Sequence, residues 1–498
     1  MRFQKECDNK PIDGKSAQDI THGQSDCPIV SMKSCNQDGE KGAAGTQECA
    51  RETPAGVSAG LPVETKLAHL TEHARESPQY KCTSVMGMLV NVDFLTRCFH
   101  ELKRNKAVGI DNVTIEEYEK NLRTNLEGLR ARIRSWQYRP QAVRRVYIPK
   151  SDGSKRGLGI PAVEDKIVQM GIKKILEAMF EGDFCDVSYG FRPNRSCHQA
   201  LSMLDKAITS KPINCVVDMD INKYFDSINH EKLLECLRQR IADTSLLRLI
   251  SRVLRAGVME EGKYTETDKG TPQGGIISPV LSNIYLHYVL DLWFEKEIKP
   301  QFKGHAQLIR YADDFVVLFQ SKHEAQVFSG KLTERLDKYG LKVAQGKSRI
   351  IEFGRYVWQS AQAAAKDIAT FNFLSFTHFC DKTRKGGFKV GRKTSRVKFI
   401  QKAKAMNKWL KGIRNLVKLT EWWKTLKQKL IGHYNYYGVS GNYKALAAFY
   451  RLTLKLCFKW INRRSQKKSF NSERFSRYLS VNPLPEPRIY HSLYMTAC

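Results

Sequence analysis

Two adjacent aspartates, Asp313 and Asp314, lie between two apolar runs, and this arrangement constrains the fold more than any other part of the sequence. Leu308 and Ile309 precede them, and an apolar run rich in β-branched and aromatic residues, 315–319, follows. Apolar runs on either side of a short polar turn predict a β-hairpin with both carboxylates at its tip. Because ionised carboxylates repel each other, a divalent cation is their natural partner. On its own, the tetrapeptide 311–314 would be interpreted as an ordinary Asp-Asp turn.

A second apolar strand ends in acidic residues about 90 positions upstream. The segment 215–217 is apolar, and it is followed by Asp218, Asp220 and Asp226. A third carboxylate beside the hairpin is what a two-metal phosphoryl-transfer site requires, in which one ion activates the attacking hydroxyl and the other stabilises the leaving pyrophosphate. Asp218 and Asp226 compete with Asp220 for that position.

A Gly/Pro-rich turn, residues 270–279, lies between the two strands and leads into the helical pattern 281–290. Glycines in such a turn let the backbone approach a nucleotide closely. The turn contains Gln273, a candidate contact to that nucleotide.

These blocks, taken together and in order, resemble the reverse transcriptases encoded by group II introns. The matching segments are 106–111, 146–161, 188–196, the Asp220 and Gln273 blocks, 311–314, 340–347 and 373–376. The resemblance implies an α+β fold, the right-hand polymerase fold with fingers and palm, followed by an all-α basic thumb or maturase domain. It also implies an RNA-directed DNA polymerase, a nucleotidyltransferase.

The resemblance assigns catalysis and the binding of two Mg²⁺ ions to Asp220, Asp313 and Asp314. The family places its first ligand directly before an isoleucine, here Ile221, with an aromatic residue five positions after the ligand. This spacing favours Asp220 over its two competitors, and it makes Phe225 the residue beneath the incoming sugar. A ring there would clash with a 2′-hydroxyl and favour deoxynucleotides, whereas plain core packing is the alternative role for Phe225.

Three further nucleotide contacts follow from the resemblance. Lys150 and Arg156 flank the turn 151–154, where two cations would hold the triphosphate. Lys347 is a candidate general acid or phosphate contact, and a solvated lysine is the other interpretation. Ser375 stands where the family commonly has glycine, which leaves the contact to the primer end open.

Charge and composition agree with a nucleic-acid partner. The formal net charge is +31 and the isoelectric point is about 9.6, which is the electrostatic footprint of a protein that binds nucleic acid. No apolar run reaches the ~18–20 residues that span a bilayer, so no membrane partner is expected. The 13 cysteines show no paired C-x-x-C spacing and are interpreted as reduced thiols. We expect a cytoplasmic, nucleoid-associated bacterial protein without a secretory signal.

The chain is expected to divide into five segments. Residues 1–60 are predicted to be a disordered leader or an artefact of start-codon choice, and 61–212 the N-terminal extension and fingers. The palm is predicted at 213–379, giving a reverse transcriptase domain of about 85–379. The thumb or maturase domain X is expected at 380–470, and 471–498 is expected to be a C-terminal tail, a candidate remnant of a DNA-binding region. No homing-endonuclease domain is expected.

Residues 381–470 carry 25 lysines and arginines against two acidic residues. Apolar residues recur there at helical spacing, which predicts basic amphipathic helices. The segment 432–438 resembles a maturase signature, and clustered tyrosines beside lysines can stack on bases and neutralise phosphates. Aromatic core packing is the alternative for each tyrosine. The predicted RNA contacts are Lys402, Lys404, Lys408, Lys411, Tyr434, Tyr436, Tyr437, Arg463 and Arg464.

The resemblance therefore implies an enzyme that copies RNA into DNA and also acts as a maturase, promoting intron splicing and mobility by target-primed reverse transcription. Its expected partners are intron RNA, an RNA template with a DNA primer, and deoxynucleoside triphosphates; a homodimer stays open. Two alternatives remain at this point: a reverse transcriptase of another bacterial retroelement, and a splicing-only maturase.

Overall fold

The computed structural model describes residues 62–149, 155–271, 274–344, 346, 348–364, 367–464 and 470–494. These residues form two compact units. The first, called here the sheet unit, comprises the described residues of 62–395 and 491–494. The second, the helical unit, comprises the described residues of 396–490. No helix in these ranges is both long enough and apolar enough to cross a bilayer.

The sheet unit begins with five helices. They are α1 (Val63–Glu76), α2 (Met86–Leu89), α3 (Val92–His100), α4 (Ile115–Glu119) and α5 (Leu122–Arg134). The side chain of Asn91 accepts a hydrogen bond from the Phe94 N–H and so caps α3. Thr114 and Glu117 form a reciprocal capping box that starts α4. Local side-chain chemistry therefore fixes where α3 and α4 begin.

A four-stranded sheet follows, with strand order β2-β1-β4-β5. Its strands are β1 (Val143–Pro149), β2 (Lys155–Ile160), β4 (Val258–Glu260) and β5 (Lys263–Thr265). β1 and β2 are antiparallel, and β1 pairs in parallel with β4. Glu261 and Gly262 both have positive φ (48° and 81°), which gives the β4–β5 hairpin the backbone of a type I′ turn.

Further helices of the sheet unit follow along the chain. They are α6 (Val163–Phe180), α7 (Cys197–Ser210), α8 (Tyr224–Ser227), α9 (His230–Leu237), α10 (Thr244–Leu254), α11 (Ser278–Leu286), α12 (Lys322–Lys338) and α13 (Arg355–Ala363). Two π-helical stretches, His287–Asp291 and Trp293–Ile298, and a 3₁₀ turn, Lys299–Gln301, continue from α11. Helix α6 is largely buried and packs against α1, α3 and α11.

A second sheet has the order β6-β7-β3-β8 and is antiparallel throughout. Its strands are β3 (Cys215–Met219), β6 (Ala306–Tyr311), β7 (Asp314–Phe319) and β8 (Arg349–Glu352). The side chains from Phe315 to Phe319 are all buried, so both faces of β7 are covered. Helix α12 packs against β3, β7 and β8, and α7 packs against β6. The mixture of helices and antiparallel sheet confirms the predicted α+β class.

A third sheet, β11-β10-β9, crosses the predicted domain boundary at 380, which stays a prediction. Its strands are β9 (Phe371–Phe373), β10 (Phe376–Lys382) and β11 (Phe388–Thr394). Residues 381–395 thus belong to the sheet unit, and the basic all-helical part begins at Arg396. A basic composition does not exclude strands here, because the exposed Lys393 of β11 lies between the buried Arg392 and Thr394.

The helical unit contains four helices. They are α14 (Arg396–Ile413), α15 (Leu419–Tyr437), α16 (Tyr443–Ile461) and α17 (Ser472–Val481). Within the predicted C-terminal tail, 471–498, α17 is a helix that packs against α15. Trp423 contacts the Tyr478 ring at 5.1 Å and donates its Nε1–H to the Asn482 carbonyl (3.0 Å). The predicted leader, 1–60, lies outside the described residues.

Candidate active site

The hairpin predicted around Asp313 and Asp314 is β6–β7. Tyr311 pairs with Asp314, so the turn consists of Ala312 and Asp313. In the neighbouring pairing of β3 with β7, Met219 lies opposite Phe315. Asp220 directly follows β3, and it lies close enough that its charge adds, after the larger effect of burial, to the raised pKa of Asp313 and of Asp314. The structure brings the three predicted carboxylates to one edge of the sheet, as the sequence predicted.

The tip of the hairpin has a strained backbone that its neighbours hold in place. Ala312 has φ of +59°, in the left-handed region that alanine seldom occupies. Gly190 lies directly against the Ala312 backbone, where a Cβ would overlap it. Within the block 188–196, glycine at position 190 is thus required by a close backbone approach to the aspartate turn.

Crowding of the carboxylates disfavours their charged forms. Surrounding protein raises the pKa of Asp313, and the Asp220 carboxylate adds to the rise, while a backbone N–H, Arg156 and Arg310 oppose it. The protein around Asp314 raises the pKa of that carboxyl to about 7, with Asp313 the next largest cause. The Asp314 side chain still reaches solvent. This site therefore favours binding of positive charge.

The donor chemistry of the site fits a hard divalent cation, which prefers carboxylate oxygens. Among the described residues, no group of three or more His, Cys, Asp or Glu side chains already has the arrangement of a metal site. Mg²⁺ is usually held by one or two carboxylates together with substrate phosphates and water, without a complete cage of protein ligands. The carboxylates and their electrostatics therefore fit such an ion as one that binds together with its substrate.

The two competing aspartates have other surroundings. Asp218 lies within β3 and pairs with Arg349 on β8, with an Nη2–Oδ2 distance of 3.3 Å. Asp226 lies on α8 and is exposed. Asp220 immediately follows β3, and its carbonyl accepts a hydrogen bond from the Ala344 N–H (2.8 Å). That bond brings the 341–344 segment, just before the predicted contact Lys347, beside Asp220.

Arg156 is the predicted nucleotide contact that the structure brings to the aspartates. It is an exposed residue of β2, and it is near enough to lower the pKa of Asp313 by its charge. Gly274, in the Gly-rich turn, has φ of +107° and lies close to the carbonyl of Gly159 on β2. A Cβ at position 274 would lie 2.8 Å from that oxygen. The Gly-rich turn and β2 therefore meet. Lys150, Gln273 and Lys347 lie outside the described residues.

Phe225 lies on the short helix α8, partly buried against the core. Its ring contacts the Tyr224 ring at 5.2 Å, and its carbonyl accepts a hydrogen bond from the Thr271 N–H (2.7 Å). The residue is thus attached to the Gly-rich turn and retains an accessible part of its surface. Both proposed roles, sugar gate and core packing, are consistent with this placement.

The hairpin β9–β10 also reaches the site. Leu374 and Ser375 form its two-residue turn with positive φ (49° and 69°), a backbone conformation that glycine adopts more readily than other residues. The Leu374 N–H donates to Oδ2 of Asp314 (3.4 Å). The turn therefore directs a backbone donor, the Leu374 N–H, at the Asp314 carboxylate.

The lysines predicted to bind RNA occupy different environments on α14. Lys404, Lys408 and Lys411 are exposed at i, i+4 and i+7, on one face of the helix. Lys402 is half-buried, and its charge lowers the pKa of both Lys429 and His433. Three of the four lysines thus form an accessible basic stripe.

The tyrosines correct the prediction of base stacking. Tyr434 and Tyr437 are buried in the helical unit, and the Tyr434 hydroxyl donates to the Pro485 carbonyl (3.1 Å). At i and i+3 on α15 they lie on its apolar face with Leu430, so they are core residues and cannot stack on RNA bases. Tyr436 is half-buried, whereas Arg463 is exposed and Arg464 is partly exposed at the end of α16.

Sequence reasoning missed a buried polar cluster behind the aspartates. Arg310 and Asp291 are both fully buried and form an ion pair, with Asn283 and Ser188 as further partners of the arginine. A signal was present in the sequence, because each member of the pair interrupts an apolar run, 308–309 and 289–294 respectively. A buried charge without an opposite charge beside it is strongly destabilising, so two buried opposite charges are expected to pair.

Comparisons with known proteins agree with this site. Residues 148–400, half of the chain, match the family described as reverse transcriptase (RNA-dependent DNA polymerase). The chain is 33% identical over 293 residues to YkfC of Escherichia coli, covering 52% of this chain and 76% of that protein. It is 30% identical over 306 residues to the group II intron-encoded protein LtrA of Lactococcus lactis, covering 59% of this chain. It is also 32% identical over 137 residues to nuclear intron maturase 4, mitochondrial, of Arabidopsis thaliana, covering 27% of this chain and 17% of that protein.

The chain spans about half the length of LtrA, 51%. The matched range 148–400 includes all three site aspartates, Arg156 and Phe225. The order of blocks, the Asp-Asp hairpin and these similarities all agree. The chain belongs to the reverse transcriptase (RNA-dependent DNA polymerase) family, among the reverse transcriptases and maturases encoded by group II introns.

Proposed function

We propose that this protein is an RNA-directed DNA polymerase that also serves as the maturase of a group II intron. The observation that carries the proposal is the convergence of Asp220, Asp313 and Asp314 at one sheet edge inside a range that matches reverse transcriptases. In this reading the sheet unit supplies fingers and palm, and the helical unit supplies the basic thumb or maturase domain. The substrates are a DNA primer on an RNA template and deoxynucleoside triphosphates.

Asp220, Asp313 and Asp314 would hold two Mg²⁺ ions together with the substrate phosphates. Bound there, such ions lower the pKa of a primer hydroxyl and neutralise charge on the leaving pyrophosphate. The protein supplies the orientation, because β3 and β7 fix the carboxylates and the Leu374 N–H holds one oxygen of Asp314. The raised pKa of Asp313 and Asp314 supports this role, since carboxylates crowded in this way favour the approach of a cation.

Nucleotide selection is proposed to come from β2, the Gly-rich turn and α8. Arg156, exposed beside Asp313, would bind the triphosphate with two hydrogen bonds from its planar guanidinium. Further proposed contacts are Lys150, Gln273 and Lys347. Phe225 would lie beneath the sugar and exclude a 2′-hydroxyl. Its link to the turn through the Thr271 N–H supports this placement.

Intron RNA is the proposed partner of the helical unit. Its exposed stripe of Lys404, Lys408 and Lys411, with Arg463 and Arg464, can bind phosphates and release counterions. Binding of this kind would promote splicing, and together with polymerase activity it would support mobility by target-primed reverse transcription. A splicing-only maturase is the second candidate, but the three aspartates at the sheet edge favour an active polymerase.

Primer extension tests the proposal. The purified full chain should extend a DNA primer on an RNA template with deoxynucleotides and Mg²⁺, and chelation by EDTA should stop it. Asp313→Asn keeps the side-chain size but removes the charge, so it should reduce extension by at least about 10²-fold, the scale of losing one transition-state electrostatic contact. Splicing assistance without extension by the wild-type chain would favour the splicing-only alternative.

A further inference from the structure

Arg310 lies at the end of β6, directly behind the aspartate turn, and it is fully buried. Its guanidinium has five N–H donors, and it makes five hydrogen bonds. Two go to the carboxylate of Asp291, with Nε–Oδ1 at 2.7 Å and Nη2–Oδ2 at 2.5 Å. The others reach Ser188 Oγ (2.7 Å), Asn283 Oδ1 (3.2 Å) and the carbonyl oxygen of Ala312 (2.9 Å).

The bond to Ala312 connects this cluster to the aspartate turn. Ala312 is the residue with left-handed φ that directly precedes Asp313, so its conformation needs support from surrounding structure. Arg310 supplies that support, because its side chain donates a hydrogen bond to the Ala312 carbonyl, two residues further along the chain. A change in the Ala312 peptide would redirect the Asp313 carboxylate.

The cluster also anchors the hairpin to two neighbouring segments. The backbone of Arg310 pairs with the loop before α7, since its N–H donates to Val187 and its carbonyl accepts from Tyr189 (2.8 and 2.9 Å). The Asn283 amide donates to the Gly190 carbonyl (2.7 Å) and accepts from Arg310. Loop, helix α11 and hairpin are thus linked through one guanidinium.

Asp291, the counter-ion, ends a π-helical stretch, His287–Asp291. Such turns are rare and occur frequently at functional sites. A buried ion pair is weak evidence of a contribution to stability, because apolar residues of similar volume often replace one without loss. Arg310 makes five directed hydrogen bonds, and one of them goes to the aspartate turn. The role of the ion pair is therefore to position that turn.

We propose that Arg310 is a positioning residue, with Asp291 as its counter-ion, that holds the Ala312 carbonyl and thereby aims the Asp313 carboxylate into the active site. The inference rests on the proposed polymerase function for its consequence in catalysis. Its structural part, the control of the turn by the guanidinium, holds independently of that function.

The test replaces the pair as a unit with Arg310→Met/Asp291→Leu, which removes both charges and leaves no unpaired ion. Hydrogen exchange measured by mass spectrometry should accelerate in the peptide 306–319 and stay unchanged in β3. In primer extension, kcat should fall about 100-fold, the scale of a ~1 Å misplacement, while KM for deoxynucleotides stays within about threefold because Arg156 and Phe225 are untouched. Thermal unfolding should remain cooperative.

Two further variants complete the test. Arg240→Met/Asp183→Leu removes another ion pair of the sheet unit (2.9 Å), whose arginine bonds the backbone of residues 74–80, and it should keep wild-type kcat and hairpin exchange. Arg310→Lys keeps the buried positive charge but loses the planar set of five donors. It should lower kcat and accelerate hydrogen exchange in the peptide 306–319, and it serves as the test if the double variant does not fold.

If the hydrogen-exchange rate of the peptide 306–319 is the same as in the wild type in both Arg310 variants, the inference is overturned, whether or not the chain extends primers. Normal kcat in a folded Arg310 variant, beside an inactive Asp313→Asn chain, would also overturn it. Failure of the wild-type chain to extend any primer would instead refute the proposed function, and the exchange measurement would still decide the role of Arg310.

Discussion

Gly190 lies so close to Ala312 that a Cβ at position 190 would overlap the Ala312 nitrogen and the Tyr311 carbonyl carbon. The contact joins the loop before α7 to the turn that carries Asp313. Both partners are backbone, so neither can move aside as a flexible side chain would. The position of the catalytic turn thus depends on a residue that carries no side chain.

Gly190→Ala should therefore reduce primer extension by about 10²-fold, because the turn must shift by a fraction of an ångström to an ångström to admit the methyl group. The measurement is kcat at saturating nucleotide, with the folded fraction checked by circular dichroism. Gly330→Ala is the matched control: nothing lies within 4 Å of its Cβ on α12, and alanine is favoured there by up to about 1 kcal/mol. Equal activity of the two variants would contradict the structural role of Gly190.

The choice among the β3 aspartates can be tested directly. Asp220→Asn should reduce extension by at least about 10²-fold, as for any lost transition-state electrostatic contact. Asp218→Asn removes only a partly exposed pair with Arg349, worth at most about 1 kcal/mol, so kcat should stay within roughly tenfold, or 1.4 kcal/mol. The reverse order of effects would assign the ligand to Asp218.

Phe225 is the residue proposed to select the sugar of the incoming nucleotide. Phe225→Ala should open space beneath C2′ and raise the ratio of kcat/KM for ribonucleotides over deoxynucleotides by at least about tenfold, equal to about 1.4 kcal/mol of discrimination. The ratio does not depend on how much of the variant folds, since both substrates are measured on one preparation. An unchanged ratio would show that the ring acts only in core packing.

Much of this site could be predicted because the sequence patterns that define its strands and turn extend over only a few consecutive residues. Alternation and turn residues around 308–319 define a hairpin, and the same pattern at 215–220 supplies its neighbour, so pairing of the two strands brings the aspartates together. Residues 380–395 were assigned to the helical domain because charge was given more weight than alternation. For Tyr434 and Tyr437 the sequence left both base stacking and core packing open, because a tyrosine ring suits a protein core and a nucleic-acid surface equally well.

The buried cluster of Arg310 could not be assigned from sequence for a different reason. Its side-chain partners lie 19 to 122 positions away in the chain, and no local pattern links them. A charge inside an apolar strand signals that a partner exists, but its identity follows only from the tertiary packing.

The basic stripe of α14 should set RNA affinity. Replacing Lys404, Lys408 and Lys411 with glutamine should weaken intron RNA binding and flatten the slope of log K against log salt by about 2–3, since each phosphate contact contributes about 0.7–0.9. The measurement is a filter-binding titration across salt concentrations. A control triple on the sheet unit, Lys103, Lys120 and Lys338 to glutamine, has the same change in net charge on exposed positions. An equal loss in both triples would indicate a general charge effect without a defined surface.

The two proposed activities should separate in one assay. Splicing assistance requires RNA binding but not polymerase chemistry, because the intron RNA carries its own catalytic centre. Asp313→Asn should therefore abolish DNA synthesis and leave splicing at low magnesium concentration close to wild type. The α14 lysine triple should impair splicing by weakening RNA binding, although its polymerase site is intact. Both variants are compared in the same splicing reaction, with primer extension measured on a short template in parallel. Normal splicing by the lysine triple together with failure of Asp313→Asn would refute this division, because it would place the RNA-dependent step at the aspartates and not on the basic helix.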